Sequence, residues 1–310
     1  MGVLLALVAG AFMPLTNLTT RKGVDVGGSA RGYFVFQTLF SLVFALLLGP
    51  VRHGEWSIPL PAAMFGVVAG CILSSMLYFL GRAVESGPPG LTFAILNSAT
   101  IMPGLLMASL FGEALGFAYT GWHAFGSFLV LAGLFWGVQG VRTFSRARSW
   151  LVFSGFMFLL HILLLALYQW KAMLMRLAHP EEVTLLLSKV HMQSEWFTPF
   201  MFATACLFQL VLYFRAGGGI PRSGEVGYGM AGGLTNLLCT FFLLWAAEAA
   251  GPLENAVIYP IFSIVGILLT NFWGQWLYGE SVNWKACQLC LLGLMVGTID
   301  WKIVAAAIGF

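Results

Sequence analysis

The sequence predicts an all-α integral membrane protein whose ten transmembrane helices form two inverted five-helix repeats. The first observation is composition: 59% of the 310 residues are hydrophobic and only 9% are charged, with a mean hydropathy of +0.89. A soluble domain carries roughly 25% charged residues, mostly on its surface. The second observation is a recurrence of nearly charge-free apolar stretches, and the third is an internal repeat that relates the two halves of the chain.

Each apolar stretch is long enough to cross a bilayer, since a span needs about 20 mostly apolar residues. In chain order the predicted spans are 2–20, 32–51, 59–81, 88–111, 117–140, 149–170, 196–214, 226–247, 254–278 and 285–307. The first lacks a basic n-region and a convincing cleavage site, so we expect a permanent span rather than a signal peptide. The net charge of +3 is too small for a nucleic-acid-binding protein.

The connections divide the chain into a first repeat at residues 1–141, a linker at 142–148 and a second repeat at 149–310. The longest connection, near 172–194, contains both signs of charge and Pro180 followed by two glutamates. Proline and acids are favoured in the first turn of a helix. Two interpretations stay open: a short amphipathic helix on the membrane surface, or a plain polar loop.

The internal repeat aligns residues 83–137 with residues 247–297. Both segments contain an acid, a Gly-Pro, a long apolar helix, a Gly-Glu and a glycine-spaced helix. The matching positions are Glu85 with Glu248, Gly87-Pro88 with Gly251-Pro252, Gly112-Glu113 with Gly279-Glu280, and Gly126 with Gly293. Because each half has an odd number of spans, the second half is expected to insert upside down relative to the first. Such inverted repeats are typical of alternating-access transporters, whose substrate site lies between the halves.

These motifs resemble the EamA-like branch of the drug/metabolite transporter superfamily. The resemblance rests on the two Gly-Glu pairs before Gly-rich helices, on GAFMPLTNLTTRKG in the first span and on Phe36-Gln37 in the second. It implies a basket in which helices 1–4 and 6–9 line a cavity and helices 5 and 10 are peripheral. It also implies cytoplasmic termini, whereas the loops after odd-numbered helices carry most of the lysines and arginines, which favours termini outside. Sidedness stays open.

Polar side chains within the spans are the candidate cavity residues, because an unsatisfied polar group is costly in hydrocarbon. The candidates are Gln37, Ser74, Tyr78, Asn97, Thr100, His161, Gln209, Asn236, Tyr259 and Ser263. Helix packing is the alternative role, above all for the serines and threonines. His161 titrates near neutrality and is a candidate for proton coupling, with a structural hydrogen bond as the alternative. Glu85 and Glu248, each just before a Gly-Pro break, are candidates for gating or proton coupling, and plain surface solvation is their alternative.

We therefore expect a secondary-active transporter that moves a small polar metabolite, such as a sugar or an amino-acid-like compound, by alternating access. An exporter of lipophilic or quaternary cations is one alternative, and an intramembrane lipid-modifying enzyme is another from a different class. The sequence contains no motif for a metal, a cofactor or a catalytic site. The expected partners are a small-molecule substrate and the lipid bilayer, with no nucleic acid. We expect a monomer or homodimer in a membrane such as the bacterial inner membrane.

Overall fold

The computed structural model describes residues 1–112, 115, 120–139, 147–177, 191, 193–250, 252–279 and 282–297, and this part of the chain is helical without strands. The helices are α1 (Gly2–Asp25), α2 (Ala30–Leu46), α3 (Leu60–Ser86), α4 (Pro89–Ser98), α5 (Met102–Phe111), α6 (Gly121–Gln139), α7 (Ala147–Arg176), α8 (Phe197–Arg215), α9 (Ser223–Ala249), α10 (Pro252–Tyr278) and α11 (Trp284–Val296). Glu113, Glu280 and most of the predicted surface segment near 172–194 lie outside the described residues.

Eight segments of the described chain are long and apolar enough to cross a membrane. They are α1, α2 with the turn that follows it, α4 and α5 taken together, α3, and the main parts of α7, α8, α9 and α10. The chain is therefore a multi-pass, all-helical membrane protein. Three helices continue well past the predicted ends of their spans: α1 and α3 end five residues later, at Asp25 and Ser86, and α7 ends six residues later, at Arg176.

Two spans depart from regular α-helix at proline residues. Between α4 and α5, residues Ala99–Ile101 form a 3₁₀ turn. Pro103 has no N–H to donate to the carbonyl of Ala99, and its ring crowds that carbonyl, so a regular helix cannot continue here. At the end of α2, residues Leu47–Val51 form a π-helical turn that contains Pro50. The first break divides a span near its middle, where backbone groups become available to neighbouring side chains.

Eight spans form a closed ring. In order around it, α1 contacts α10, α10 contacts α4, α4 and α5 contact α7, α7 contacts α3, α3 contacts α8, α8 contacts α2, α2 contacts α9, and α9 returns to α1. The remaining two helices, α6 and α11, pack against each other and touch α4 and α10. Apart from the sequential neighbours, one further helix pair makes a substantial contact: α7 meets α9 across the ring.

Glycines permit the closest helix contacts of the ring. A Cβ on Gly70 of α3 would lie 2.5 Å from the carbonyl oxygen of Met201 on α8. A Cβ on Gly233 of α9 would lie 2.6 Å from the carbonyl oxygen of Gln37 on α2. Each glycine follows another glycine one turn earlier. A Cβ on Gly66 would lie 2.5 Å from the carbonyl oxygen of Phe197, and one on Gly229 would lie 2.5 Å from the Cβ of Phe36. This is the small-xxx-small pattern with which membrane helices pack closely.

The outer pair of helices meets at glycines as well. A Cβ on Gly126 of α6 would lie 2.5 Å from the carbonyl oxygen of Gly293 on α11, and one on Gly293 would lie 2.7 Å from the carbonyl oxygen of Gly126. The sequence alignment of residues 83–137 with residues 247–297 pairs these same two glycines.

Candidate functional site

Asn97 is the second-last residue of α4, in the last turn before the 3₁₀ turn, and its side chain is fully buried. Its backbone carbonyl accepts a hydrogen bond from Ser263 Oγ of α10 at 2.6 Å and another from Thr100 Oγ1 at 2.9 Å. Its side-chain Oδ1 and Nδ2 make no hydrogen bond with the described residues. A buried amide without partners costs about 1–3 kcal/mol, which makes the Asn97 side chain a candidate binding group.

His161 of α7 lies beside this break. Its Nδ1 is 2.7 Å from the carbonyl oxygen of Leu96, the residue before Asn97. A carbonyl oxygen only accepts hydrogen bonds, so Nδ1 is the donor and the proton sits on that nitrogen. Leu96, Asn97, Ser263 and His161 thus join α4, α7 and α10 around one interrupted stretch of backbone.

Gln209 of α8 and Ser74 of α3 form a second buried polar contact. Gln209 Nε2 donates to the Ser74 carbonyl oxygen at 2.9 Å and lies 3.1 Å from its Oγ. Both side chains are almost completely buried. The contact satisfies both groups, so it has the character of a packing hydrogen bond between two neighbouring helices of the ring.

Tyr259 of α10 is buried one turn before Ser263, close to Tyr168 of α7. Tyr168 Oη donates to Met201 Sδ of α8 at 3.2 Å, a contact that crosses the ring because α7 and α8 are not neighbours in it. The side chains of Tyr168, Tyr259 and Met201 therefore fill the ring between the Asn97 level and one end.

The other predicted residues are not joined to the Asn97 cluster by any hydrogen bond. Gln37 is buried on α2, and its Oε1 makes no hydrogen bond with the described residues. Asn236 is half-buried on α9, and Tyr78 is half-buried with its ring edge-on to the adjacent Phe79. Glu85 is exposed at the end of α3, where its Oε2 is 3.5 Å from Arg82 Nη1.

The structure reveals a partner for Glu248 that the sequence interpretation missed. Lys171 Nζ of α7 lies 2.6 Å from Glu248 Oε1 of α9, and the two side chains are only 8% and 26% exposed. The sequence places Lys171 directly after Trp170, at the predicted end of a span, which favoured a loop. The apolar run from Ala172 to Met175 after it is the signal that could have extended the helix.

A small cavity of about 20 Å³ lies between α1, α4 and α10. Its lining includes Asn17 and Arg21 of α1, Phe93 of α4 and Tyr278 of α10. It lies towards the Arg21 end of the bundle, and Phe93 in its wall is one helical turn before Asn97. The far end of the bundle is the one that holds Lys171 and Glu248.

No protein-family model matches the chain, and no curated protein does. Twenty-eight chains of solved structures match it. One of these is a crystal structure with 14% sequence identity and a TM-score of 0.64, and the match covers 100% of this chain and 99% of the other. An identity this low establishes a shared fold and nothing about activity. The entire chain therefore has the fold of another protein of nearly equal length.

Proposed function

We propose that the protein is a secondary-active transporter, rather than an enzyme, that moves a small polar metabolite by alternating access between two inverted five-helix halves. The observation that carries this proposal is the pattern of helix contacts around the ring. Pairing the first to fifth spans with the sixth to tenth leaves the pattern of neighbours unchanged: α1–α9 becomes α7–α3, α1–α10 becomes α7–α4, and α2–α9 becomes α8–α3. The pairs α2–α8, α4–α10 and α6–α11 map onto themselves.

Helix directions support the same exchange. The antiparallel pairs are marked by Gly2 with Ala250 and Thr16 with Thr235 between α1 and α9, and by Gly87 with Trp150 and Phe65 with Trp170 between α3 and α7. The parallel pairs are marked by Gly10 with Val265 and Asn17 with Thr270 between α1 and α10, and by Thr92 with Trp150 and Leu96 with His161 between α4 and α7. Parallel pairs stay parallel and antiparallel pairs stay antiparallel when the halves are exchanged, as a two-fold axis in the membrane plane requires.

The packing glycines support it residue by residue. Gly66 and Gly70 of α3 meet Phe200, Met201 and Thr204 of α8, while Gly229 and Gly233 of α9 meet Phe36, Gln37 and Phe40 of α2. The spacings are the same in the two grooves. The contact of Gly126 with Gly293 belongs on the axis itself. With α6 and α11 counted as spans, the architecture is the ten-helix inverted repeat of alternating-access carriers.

The substrate site of this proposal is the Asn97 cluster, where the axis passes between α4 and α10. An amide presents a donor pair and an acceptor, which suits hydroxyl or amide groups of a sugar or an amino-acid-like compound. Exchanging the two halves places Gln37 of α2 at the position of Met201 of α8, whose side chain reaches into the ring. Gln37 is therefore the second residue that we propose contacts the substrate. His161 is the proposed coupling group, because an imidazole can bind and release a proton and this one donates to the backbone beside Asn97. The EamA-like drug/metabolite transporters remain the family that the motifs resemble.

A thermal-shift screen followed by counterflow tests the proposal. Purified protein is screened against sugars, amino acids and lipophilic cations, since a ligand that binds the native state raises the apparent Tm. The best ligand is then assayed for counterflow in proteoliposomes containing wild type, Asn97→Leu or Ser75→Ala. Ser75 is the control because its hydroxyl bonds only to Cys71 of its own helix, at 2.8 Å.

We expect counterflow with wild type and Ser75→Ala and its loss with Asn97→Leu. A ligand that shifts Tm for both variants alike would move the site away from Asn97. Absence of counterflow for every ligand that binds would refute the transporter, and release of a lipid product from the liposomes would favour the enzyme class instead.

A further inference from the structure

We infer that Lys171 and Glu248 form a gate that closes one end of the ring, that Lys22 and Glu85 are the matching gate at the other end, and that this structure has the first closed and the second open. The inference rests on the proposed alternating-access function and adds the residues that control it. It concerns the ends of the bundle, not the substrate site.

The first gate spans the ring instead of joining neighbouring helices. Lys171 is on α7 and Glu248 is on α9, and α3, α8 and α2 separate these helices around one side of the ring. Lys171 Nζ is 2.6 Å from Glu248 Oε1. Apolar groups surround the ammonium group, which lies 5.5 Å from the ring centroid of Phe197 and 3.3 Å from Met175 Sδ. Below it, Tyr168 bonds to Met201. Charge and aromatic side chains together therefore obstruct this end.

The matching lysine in the first half is found from the starts of α2 and α8. Tyr33 lies in the first turn of α2, and its hydroxyl is 2.9 Å from that of Thr19. Phe197 begins α8 and contacts Tyr168, with ring centroids 6.3 Å apart. Lys22 follows Thr19 by three residues, and Lys171 follows Tyr168 by three residues.

The matching acid comes from the internal repeat. Glu85 stands shortly before Gly87-Pro88 and Glu248 shortly before Gly251-Pro252. Lys22 and Glu85 are at the ends of α1 and α3, which run in the same direction and finish at one face of the bundle. Lys171 and Glu248 are near the ends of α7 and α9, at the opposite face. Each half thus supplies a lysine and an acid in the same arrangement.

The second pair is not formed. Glu85 is 3.5 Å from Arg82 of its own helix, and Lys22 Nζ is 5.0 Å from the ring centroid of Tyr278. The contact of α7 with α9 has no comparable counterpart between α1 and α3 in the described part of the chain. A small cavity of about 20 Å³ lies beside Arg21 and Tyr278, near this end. The lysine and the acid are therefore paired at one end and apart at the other, as expected for a transporter that is open to one side only.

A partly buried Lys–Glu pair is better suited to a contact that opens and closes than to a permanent one. Breaking a buried ion pair by removing one partner leaves an uncompensated charge, whereas separating the two into water restores hydration to both. Opening the end therefore costs little only if water enters with the movement. The same movement brings Lys22 towards Glu85 when the halves rock, so that one pair forms as the other is hydrated.

Cross-linking tests the coupling of the two ends. In a protein whose five native cysteines are replaced, Lys22→Cys and Glu85→Cys are introduced together and cross-linked with a short bis-thiol reagent. Glu248→Gln or Lys171→Met, added singly, should raise the cross-linking rate on the order of tenfold, because each removes the pair that holds the opposite end closed. The exchanged variant Lys171→Glu/Glu248→Lys should return the rate to its starting value.

The double variant Glu248→Gln/Lys171→Met should raise the rate no more than either single change, since both act on one interaction. Unchanged rates, or failure of the exchanged variant to restore the starting rate, would overturn the gate. The assay needs no substrate. If the rates respond as expected and no compound is transported, the gate stands and the proposed function falls; if transport is found and the rates do not respond, the gate alone is wrong.

Discussion

A single added methyl group in either glycine groove tests the close helix packing. In Gly70→Ala the new Cβ would lie 2.5 Å from the carbonyl oxygen of Met201 and 2.6 Å from the Cβ of Thr204. Ordinary carbon contacts are about 3.5–4.0 Å, so α3 and α8 must separate by roughly 1 Å. A gap of that size forfeits a quarter to a half of the dispersion energy of the contacts along the interface.

The cost of overpacking is about 1–3 kcal/mol, and the backbone contact puts Gly70→Ala at the upper end of this range. Alanine recovers about 1 kcal/mol through its better helix propensity. We therefore expect a net loss of about 2 kcal/mol. Gly233→Ala should lose a similar amount, since its Cβ would meet the Gln37 carbonyl oxygen at 2.6 Å. Gly155 of α7 is the matched control, because a Cβ added there would have no atom within 4 Å.

Reversible unfolding in mixed detergent micelles, followed by tryptophan fluorescence, measures the three variants. Gly155→Ala should be neutral or stabilised by up to about 1 kcal/mol. If Gly70→Ala and Gly155→Ala unfold alike, the close contact of α3 with α8 is wrong. If Gly70→Ala and Gly233→Ala differ by more than about 1 kcal/mol, the two grooves are not equivalent and the support they give to the repeat is lost.

Three further predictions concern individual side chains. Asn97→Leu should leave the free energy of unfolding unchanged or raise it by about 1 kcal/mol, since it removes an unpartnered buried amide, while counterflow is lost. His161→Ala should abolish the pH dependence of transport in proteoliposomes without unfolding the protein, and an unaltered pH profile would exclude it as the coupling group. Burial raises the pKa of the Glu195 carboxyl, Glu55 and Glu248 raise it further, and His53 and Lys171 lower it. Protonated Glu195 therefore stabilises the folded protein fully below the usual pKa of 4.5, and this stability is lost as the pH rises through the raised pKa. In Glu195→Gln the side chain cannot titrate, so Tm should change less with pH over this range.

The helical membrane class could be predicted from the sequence because lipid imposes one rule on every span: about 20 apolar residues with their backbone bonds satisfied internally. The repeat glycines Gly126 and Gly293 were found from spacing alone, and the structure brings them into contact. The helices α1, α3 and α7 continue five or six residues past their predicted ends, because their last turns contain charged residues that resemble a loop.

The interactions across the ring could not be predicted in the same way. Lys171 and Glu248 are 77 residues apart, and no local pattern records that α7 and α9 converge. The break between α4 and α5 has a local cause in Pro103, yet its consequence, two carbonyls that accept bonds from Ser263 and His161, depends on tertiary packing. Asn97 was a candidate because an amide is costly in hydrocarbon, and the same reasoning gave equal weight to Asn236, which is only half-buried.

The contact between Gly126 and Gly293 has a consequence for the origin of the molecule. A patch that meets its own equivalent is isologous, the type of contact that joins two identical subunits about a two-fold axis. In the proposed architecture, a chain of half the length could have built the same bundle from two copies inserted in opposite senses. Once the copies are fused, a substitution in one is no longer duplicated in the other.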